Sequence, residues 1–339
     1  MSPSKICSLP INEKRSNETM IIVDFAREHI SKANALALAC YKEELSQVPA
    51  LPSVDAFPDL TCFADNGMGV AAFEDDEMIG FLCGIKPFDN AFHSTDVKGV
   101  FSPMWANAAT LKCRANIYAA MYQDAARKWV RAGAVSHGIC LYAHDEIAQN
   151  QFFKYGFGLR CIDSIRPMEP FDCRTCEEYE FIELQSSEYA LAYPLELMLN
   201  KHFNNSPTFM NRELETLDAF CETCINNHER CFVSLYQGKI CAYLKNSESG
   251  ETFITEHPNY RHINSAFCLK EHRGKGLYQS LLNEVIKTLK AEGYTHLGVD
   301  FESINPSAYS FWSKYFTAYT HGVVRRIDER ILSENSHLN

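Results

Sequence analysis

Phe267-Cys268-Leu269-Lys270-Glu271-His272-Arg273-Gly274-Lys275-Gly276-Leu277-Tyr278 is the stretch that decides how this chain is read. Apolar residues feed a short polar loop with two glycines, and an amphipathic helix opens at about Gly276. Leu277, Leu281, Leu282, Val285, Ile286 and Leu289 recur every three to four residues and so share one face. Lys290-Ala291-Glu292-Gly293 closes the helix with a basic last turn and a glycine. A strand, a glycine loop and a helix N-terminus make an anion site. The first-turn N–H groups lack helical partners, and the helix dipole places partial positive charge there. Gly274 and Gly276 let a phosphate reach the main chain with no side chain between, and Arg273 and Lys275 add charge.

Downstream, Thr295-His296-Leu297-Gly298-Val299-Asp300-Phe301 reads as the next strand. Asn305-Pro306 then starts another helix, Asn as N-cap and Pro at the first helical position. That helix carries Ala308, Tyr309, Phe311, Trp312, Tyr315 and Phe316. Arg-Gly-Lys-Gly opening a helix, a strand, then Asn-x-x-Ala-x-x-Phe-aromatic-x-Lys-x-Phe from Asn305 to Phe316 resembles the GNAT family of N-acyltransferases.

The resemblance implies acetyl-CoA as co-substrate, with the pyrophosphate on Arg273, Gly274, Lys275, Gly276, Leu277 and Tyr278. It implies that backbone groups of Phe267, Cys268 and Leu269 bond the pantetheine like an added strand, and that Asn305 contacts the CoA arm. It also implies direct attack by a primary amine in a ternary complex, the acceptor being a small molecule or a peptide. The family's usual small residue is replaced by Tyr278. Its usual tyrosine acid is replaced by Trp312, whose indole cannot donate a proton at ordinary pH. Tyr309, three residues earlier, and Tyr315 are the remaining acid candidates. Glu256, His257, Asp300 and Glu302 are candidate bases by position, Glu256 standing in the irregular stretch before the loop strand.

The 339 residues suit two domains. The order of elements repeats: a shift of 159 residues places Arg114 on Arg273, His137 on His296, Phe152-Phe153 on Phe311-Trp312 and Phe157 on Phe316. The expected fold is α/β (α+β), two GNAT-like domains, each a mixed, largely antiparallel sheet flanked by helices. Their spans are 1–168, a linker at 169–178, and 179–339. The first copy has Arg114-Ala115-Asn116-Ile117 against the glycine loop and Glu146 against Asn305. Side chains crowd the phosphate approach and a carboxylate repels it, so this copy is read as a degenerate scaffold.

A net charge of −11 argues against nucleic-acid binding and favours a cationic acceptor. No apolar run is long enough for a membrane span, and residues 1–17 form a polar lead-in without a signal-peptide core. A cytoplasmic enzyme with free thiols is expected, and a homodimer is left open. Cys173-x-x-Cys176 and Cys221-x-x-Cys224 could together hold zinc, but 44 residues separate them and the second pair falls in a helix, so no metal is expected. Two other functions stay open. One is a non-catalytic acyl-CoA sensor or interaction module. The other is an aminoacyl transferase of the Fem type.

Overall fold

The computed structural model describes residues 20–174 and 176–335. The lead-in read at 1–17 lies outside them, as does Thr19 at the start of the first expected strand. The N-terminal half runs β1 (Ile21–Asp24), α1 (Ile30–Gln47), α2 (Thr61–Asp65), β2 (Gly69–Glu74), β3 (Glu77–Cys83), β4 (Gly99–Ser102), β5 (Asn107–Ala109), α3 (Arg114–Arg131), β6 (Ser136–Tyr142), α4 (Glu146–Lys154) and β7 (Gly158–Pro167). The C-terminal half repeats this order as β8 (Tyr179–Glu183), α5 (Tyr193–Phe203), α6 (Leu217–Asn226), β9 (Arg230–Tyr236), β10 (Lys239–Ser247), β11 (Tyr260–Cys268), α7 (Leu277–Ala291), β12 (His296–Glu302), α8 (Pro306–Tyr315) and β13 (Thr317–Arg326). A short helix, α9 (Ile331–Asn335), follows.

The strands form two sheets, β1-β2-β3-β5 and β4-β6-β13-β7-β12-β11-β10-β9-β8. All pairings are antiparallel except β4 with β6 and β11 with β12. The long sheet spans both halves because each half gives its last strand to the other. β7 pairs with β12, β13 pairs with β6, and the two exchanged strands pair with each other.

Neither exchanged strand was expected from the sequence. Asp163, Ser164, Thr320 and Gly322 interrupt their apolar runs. Register shifts at Ala318/Thr320 and Gly322/Val323 break the two-residue alternation that marks a strand.

α7 forms where its periodicity placed it, and Leu277, Leu281, Leu282, Val285, Ile286 and Leu289 are all buried against the long sheet. The two halves are related by a shift of 160, not 159, beyond the glycine loop. Gly133 and Gly293 both follow a helix with positive φ. Asp145 caps α4 as Asn305 caps α8, each accepting an N–H three residues on. Asn305 is therefore matched by Asp145, not by Glu146, and Trp312 by Phe152. The extra residue lies in the glycine loop itself. Without those glycines α3 begins three to four residues earlier than α7, so helix occupies the place of the loop.

Candidate active site

β11 and β12 pair in parallel from Tyr260↔His296 to Ile263↔Val299 and then part. β11 stays with β10 as far as Cys268, and β12 stays with β7 as far as Glu302. A gap therefore opens between residues 264–268 and residues 300–302. A bulge on β11 at Asn264, between Ile263 and Ser265, marks its apex.

The glycine loop stands at the mouth of this gap. Gly274 and Gly276 have φ of +74° and +87°, and a Cβ on Gly274 would meet nothing within 4 Å. Gly276 is the N-cap of α7 and no side chain caps the helix, so its first N–H groups stay available. Arg273 donates from Nε to the Cys268 carbonyl at 2.8 Å, and its guanidinium lies 5.2 Å from the Phe267 ring. Lys275 is exposed, while Leu277 is buried as the first core residue of α7. This geometry fits an anionic phosphate group.

The expected pantetheine contacts need correction. Leu269 gives its N–H to the Cys241 carbonyl at 2.9 Å, so it already belongs to the β10 ladder. Main-chain direction alternates along a strand, which turns Phe267 toward β10 as well, opposite Tyr243. Cys268 and Ala266 are the residues whose backbone faces the gap.

Tyr278 turns inward. Its hydroxyl donates to the Tyr243 carbonyl at 3.0 Å, and its ring packs edge-on against Phe311 and Trp312. Tyr118 holds the matching place in α3 and packs on Phe152, so this tyrosine belongs to the repeat and is a packing residue in both halves. Asn305 is buried. Its carboxamide oxygen accepts from Ala308 N–H and from Ser307 Oγ, and lies 3.4 Å from His202 Nε2 on α5.

Tyr309 and Glu256 do not meet. Tyr309 lines a shallow cleft with Ile162, Ser164, Ser313 and His321, on the α8 face of the long sheet. Glu256 is exposed on the opposite face, in a cleft of about 390 Å³ bordered by Phe57, Trp105, Glu251 and Phe253. Ile162 and Ile165 show the separation, since they belong to different cores on opposite sides of β7. The two residues expected to be acid and base therefore cannot serve one reacting centre.

The structure assembles a different set at the apex. His262 is buried, with Nε2 2.8 Å from Asp300 Oδ1 and Nδ1 3.2 Å from the Tyr260 hydroxyl. Nε2–H donates to Asp300, and Nδ1 bonds the Tyr260 hydroxyl, which can donate or accept. Two glycines make room. A Cβ on Gly298 would sit 1.5 Å from the Tyr260 oxygen, and one on Gly250 would sit 2.7 Å from the His262 ring.

Asp163, from the exchanged β7, stands directly opposite Asp300. Burial and the nearby Asp300 raise its pKa to about 6. Glu251 is raised to about 7 by burial, then by Asp300 and Asp163; it stands at the rim, open to solvent on one side and crowded on the others. Of this set only Asp300 was a sequence candidate. Asp163 lies 137 positions away on an unrecognised strand, and nothing local marks it.

A third cation also borders the loop. The linker crosses α7, with Ser280 Oγ donating to the Arg174 carbonyl at 3.0 Å and the Phe171 N–H donating to Asn283 Oδ1 at 3.0 Å. Arg174 Cβ lies 3.8 Å from where a Cβ on Gly276 would stand. The two CxxC pairs are on opposite faces, Cys176 with the α7 core and Cys224 with the α5–α6 core.

Residues 197–316 match the acetyltransferase (GNAT) family. That GNAT-like stretch lies in the C-terminal half, from within α5 to the end of α8. A GCN5-related N-acetyltransferase from Sphaerobacter thermophilus shares the fold at a TM-score of 0.56 and 12% identity, over 91% of this chain and 95% of that one. The likeness thus runs through both halves. A fungal GCN5-related glucosamine N-acetyltransferase region, within a multi-domain GH3 β-N-acetylglucosaminidase, gives 0.49 and 12% over 94% of this chain and 39% of that one. A tandem GNAT protein from the clavulanic acid biosynthesis pathway gives 0.43 and 11% over 90% and 97%. These two are too loose to add to the assignment. No curated protein matches the chain in sequence. Among the described residues, no helix is long and apolar enough to cross a membrane.

Proposed function

We propose that the C-terminal half binds acetyl-CoA and that the chain transfers the acetyl group to a primary amine by direct attack in a ternary complex. One observation carries this reading: the gap between β11 and β12 is open above an uncapped helix N-terminus. The α7 N–H groups with Gly274 and Gly276 would hold the pyrophosphate, flanked by Arg273 and Lys275. The pantetheine would run along Cys268 and Ala266. Its thioester would then lie at the deep end of the gap, nearer Ala266 than Cys268, where a main-chain N–H can polarise the carbonyl.

Asp300 is the first residue of β12 past the last β11 pair, half-buried and held by His262. In this reading Asp300 takes the proton of the attacking amine. The amine nitrogen bonds the carbonyl carbon, the C–S bond breaks, and the departing thiolate takes a proton from water or from the product. Amine-dependent thiol release tests it. Asp300→Asn is expected to lower kcat about a hundredfold with acetyl-CoA affinity unchanged. Equal kcat in the variant would remove Asp300 from the reaction.

Trp312 holds the position expected of a tyrosine acid and is packed edge-on against Tyr278 in the core, which supports a second reading as an acyl-CoA sensor. It predicts acetyl-CoA binding with no thiol release for any primary amine. The Fem-type reading predicts no acetyl-CoA affinity.

A further inference from the structure

The exchanged strand brings a carboxylate into the C-terminal site that this half does not own. Asp163 is 7% exposed. One of its oxygens accepts the Thr320 hydroxyl, and the other, Oδ1, has no partner. A buried acceptor left unpaired is unfavourable, and a buried carboxylate more so. Asp163 and Asp300 are paired across neighbouring strands, and the Gly250 before Glu251 abuts the His262 ring that holds Asp300. Among the described residues no Lys or Arg pairs with any of the three. Arg160, which reaches this face, is taken by Glu302 at 3.1 Å and by the Phe92 carbonyl at 2.9 Å. His262 is the one facing group that can carry positive charge, and its Nε2 is already engaged by Asp300 at 2.8 Å.

Asp163 and Glu251 have no cationic partner among the described residues, a setting that suits a cationic ligand. Among the described residues no three His, Cys, Asp or Glu side chains converge tightly enough for a metal ion. Carboxylates spread over two neighbouring strands and a loop suit an extended cation. Asp300 and Asp163 are on neighbouring strands, so their charges are about 5 Å apart along the sheet. The cleft at Glu251 is walled by Phe57, Trp105 and Phe253, which suit an alkyl chain and a cation near aromatic faces.

Resting on the acetyl-transfer reading above, we propose that the acceptor is a short diamine. Its reacting amine meets Asp300, and its second ammonium is held by Asp163 and Glu251. Asp163 is a specificity residue here. It touches the acceptor's far end, not the reacting atoms, and it makes the N-terminal half part of the C-terminal site.

The test uses the full chain, with 1,4-diaminobutane and butylamine as probes. Calorimetry without acyl donor is expected to show the diamine binding at least about tenfold more tightly than the monoamine, the worth of one desolvated charge pair. Asp163→Asn and Glu251→Gln are each expected to bring that ratio toward one. The diamine-to-monoamine ratio of kcat/KM, read by thiol release, is expected to fall with it. Equal binding of both amines to the native chain, or a ratio untouched by both variants, overturns the proposal. If Asp163→Asn does not fold, Glu251→Gln at the exposed rim decides alone. If no amine releases thiol but the diamine preference survives and the variants remove it, the transfer reading fails and the diamine site stands.

Discussion

The two halves fold from the same order of elements, yet one keeps a usable gap and the other closes it. The closure is built from a few side chains. In the N-terminal half, Asn107 donates its amide to the Cys140 carbonyl at 3.1 Å and takes the Tyr118 hydroxyl at 3.1 Å, stapling β5 to β6. The matching residue of β11 is Ala266, which cannot reach across.

Arg114 and Arg273 both give Nε to the carbonyl five residues back, Ala109 and Cys268. Arg114 goes on to ion pairs with Glu43 at 2.8 Å and with the helix cap Asp145 at 3.2 Å. Asn305, the matching cap, is neutral, and among the described residues Arg273 meets no carboxylate. Internal acids thus hold the arginine in one half, and the other half leaves its arginine exposed. In the N-terminal half the chain's own carboxylates satisfy the arginine that its counterpart leaves open.

The contrast can be broken from several directions. The largest expected effect is on the sealed side. Arg114→Leu strands a buried Asp145, and urea unfolding is expected to show a loss of about 3–5 kcal/mol. Arg273→Leu, exposed, is expected to cost under about 1 kcal/mol of stability and to show its effect in acetyl-CoA affinity. Equal destabilisation would erase the distinction between plug and open cation.

The seam between the halves comes next. The folded pKa of Asp163, about 6 against an ordinary 3.8, means that the folded state holds its proton more tightly. Below the unfolded pKa both states are protonated; as pH rises toward 6 the unfolded state loses its proton first. Stability therefore falls as pH rises from about 4 through 6, by roughly 3 kcal/mol for this group. Asp163→Asn is expected to flatten that part of the profile, and an unchanged slope would place the effect elsewhere.

Ala266→Asn would carry the staple into the open half. Acetyl-CoA affinity is expected to fall at least about tenfold with little change in stability, near 1.4 kcal/mol of binding. The smallest effect belongs to the shared tyrosine. Tyr278→Phe loses one neutral hydrogen bond, about 1 kcal/mol in thermal unfolding. A much larger loss of cofactor affinity would show that Tyr278 does more than pack.

The elements of the glycine loop and its flanks were legible in the sequence because they are local. A glycine pair, a helical stripe and an Asn-Pro cap lie in one run from Phe267 to Phe316, and each is set by neighbours in the chain. The far end of the gap was not legible. Tyr260, His262 and Glu251 come from the C-terminal half, but Asp163 joins them only because β7 crosses to pair with β12, and β7 is polar and bulged where a sequence pattern would need it regular. The 159-residue repeat was visible, but the loop's extra residue displaced the match for Asn305 by one, from Asp145 to Glu146. The acid–base pair Tyr309 and Glu256 failed for a related reason: nearness to the motif in sequence says nothing about which face of the sheet a side chain takes.

Calorimetric titration of the native chain with acetyl-CoA, repeated on Gly276→Trp, tests the central claim most directly. One site per chain is expected, lost in the variant because a large side chain at φ +87° is both strained and in the path of the phosphate. Two sites per chain, or the same affinity in both proteins, would contradict a single open gap in the C-terminal half.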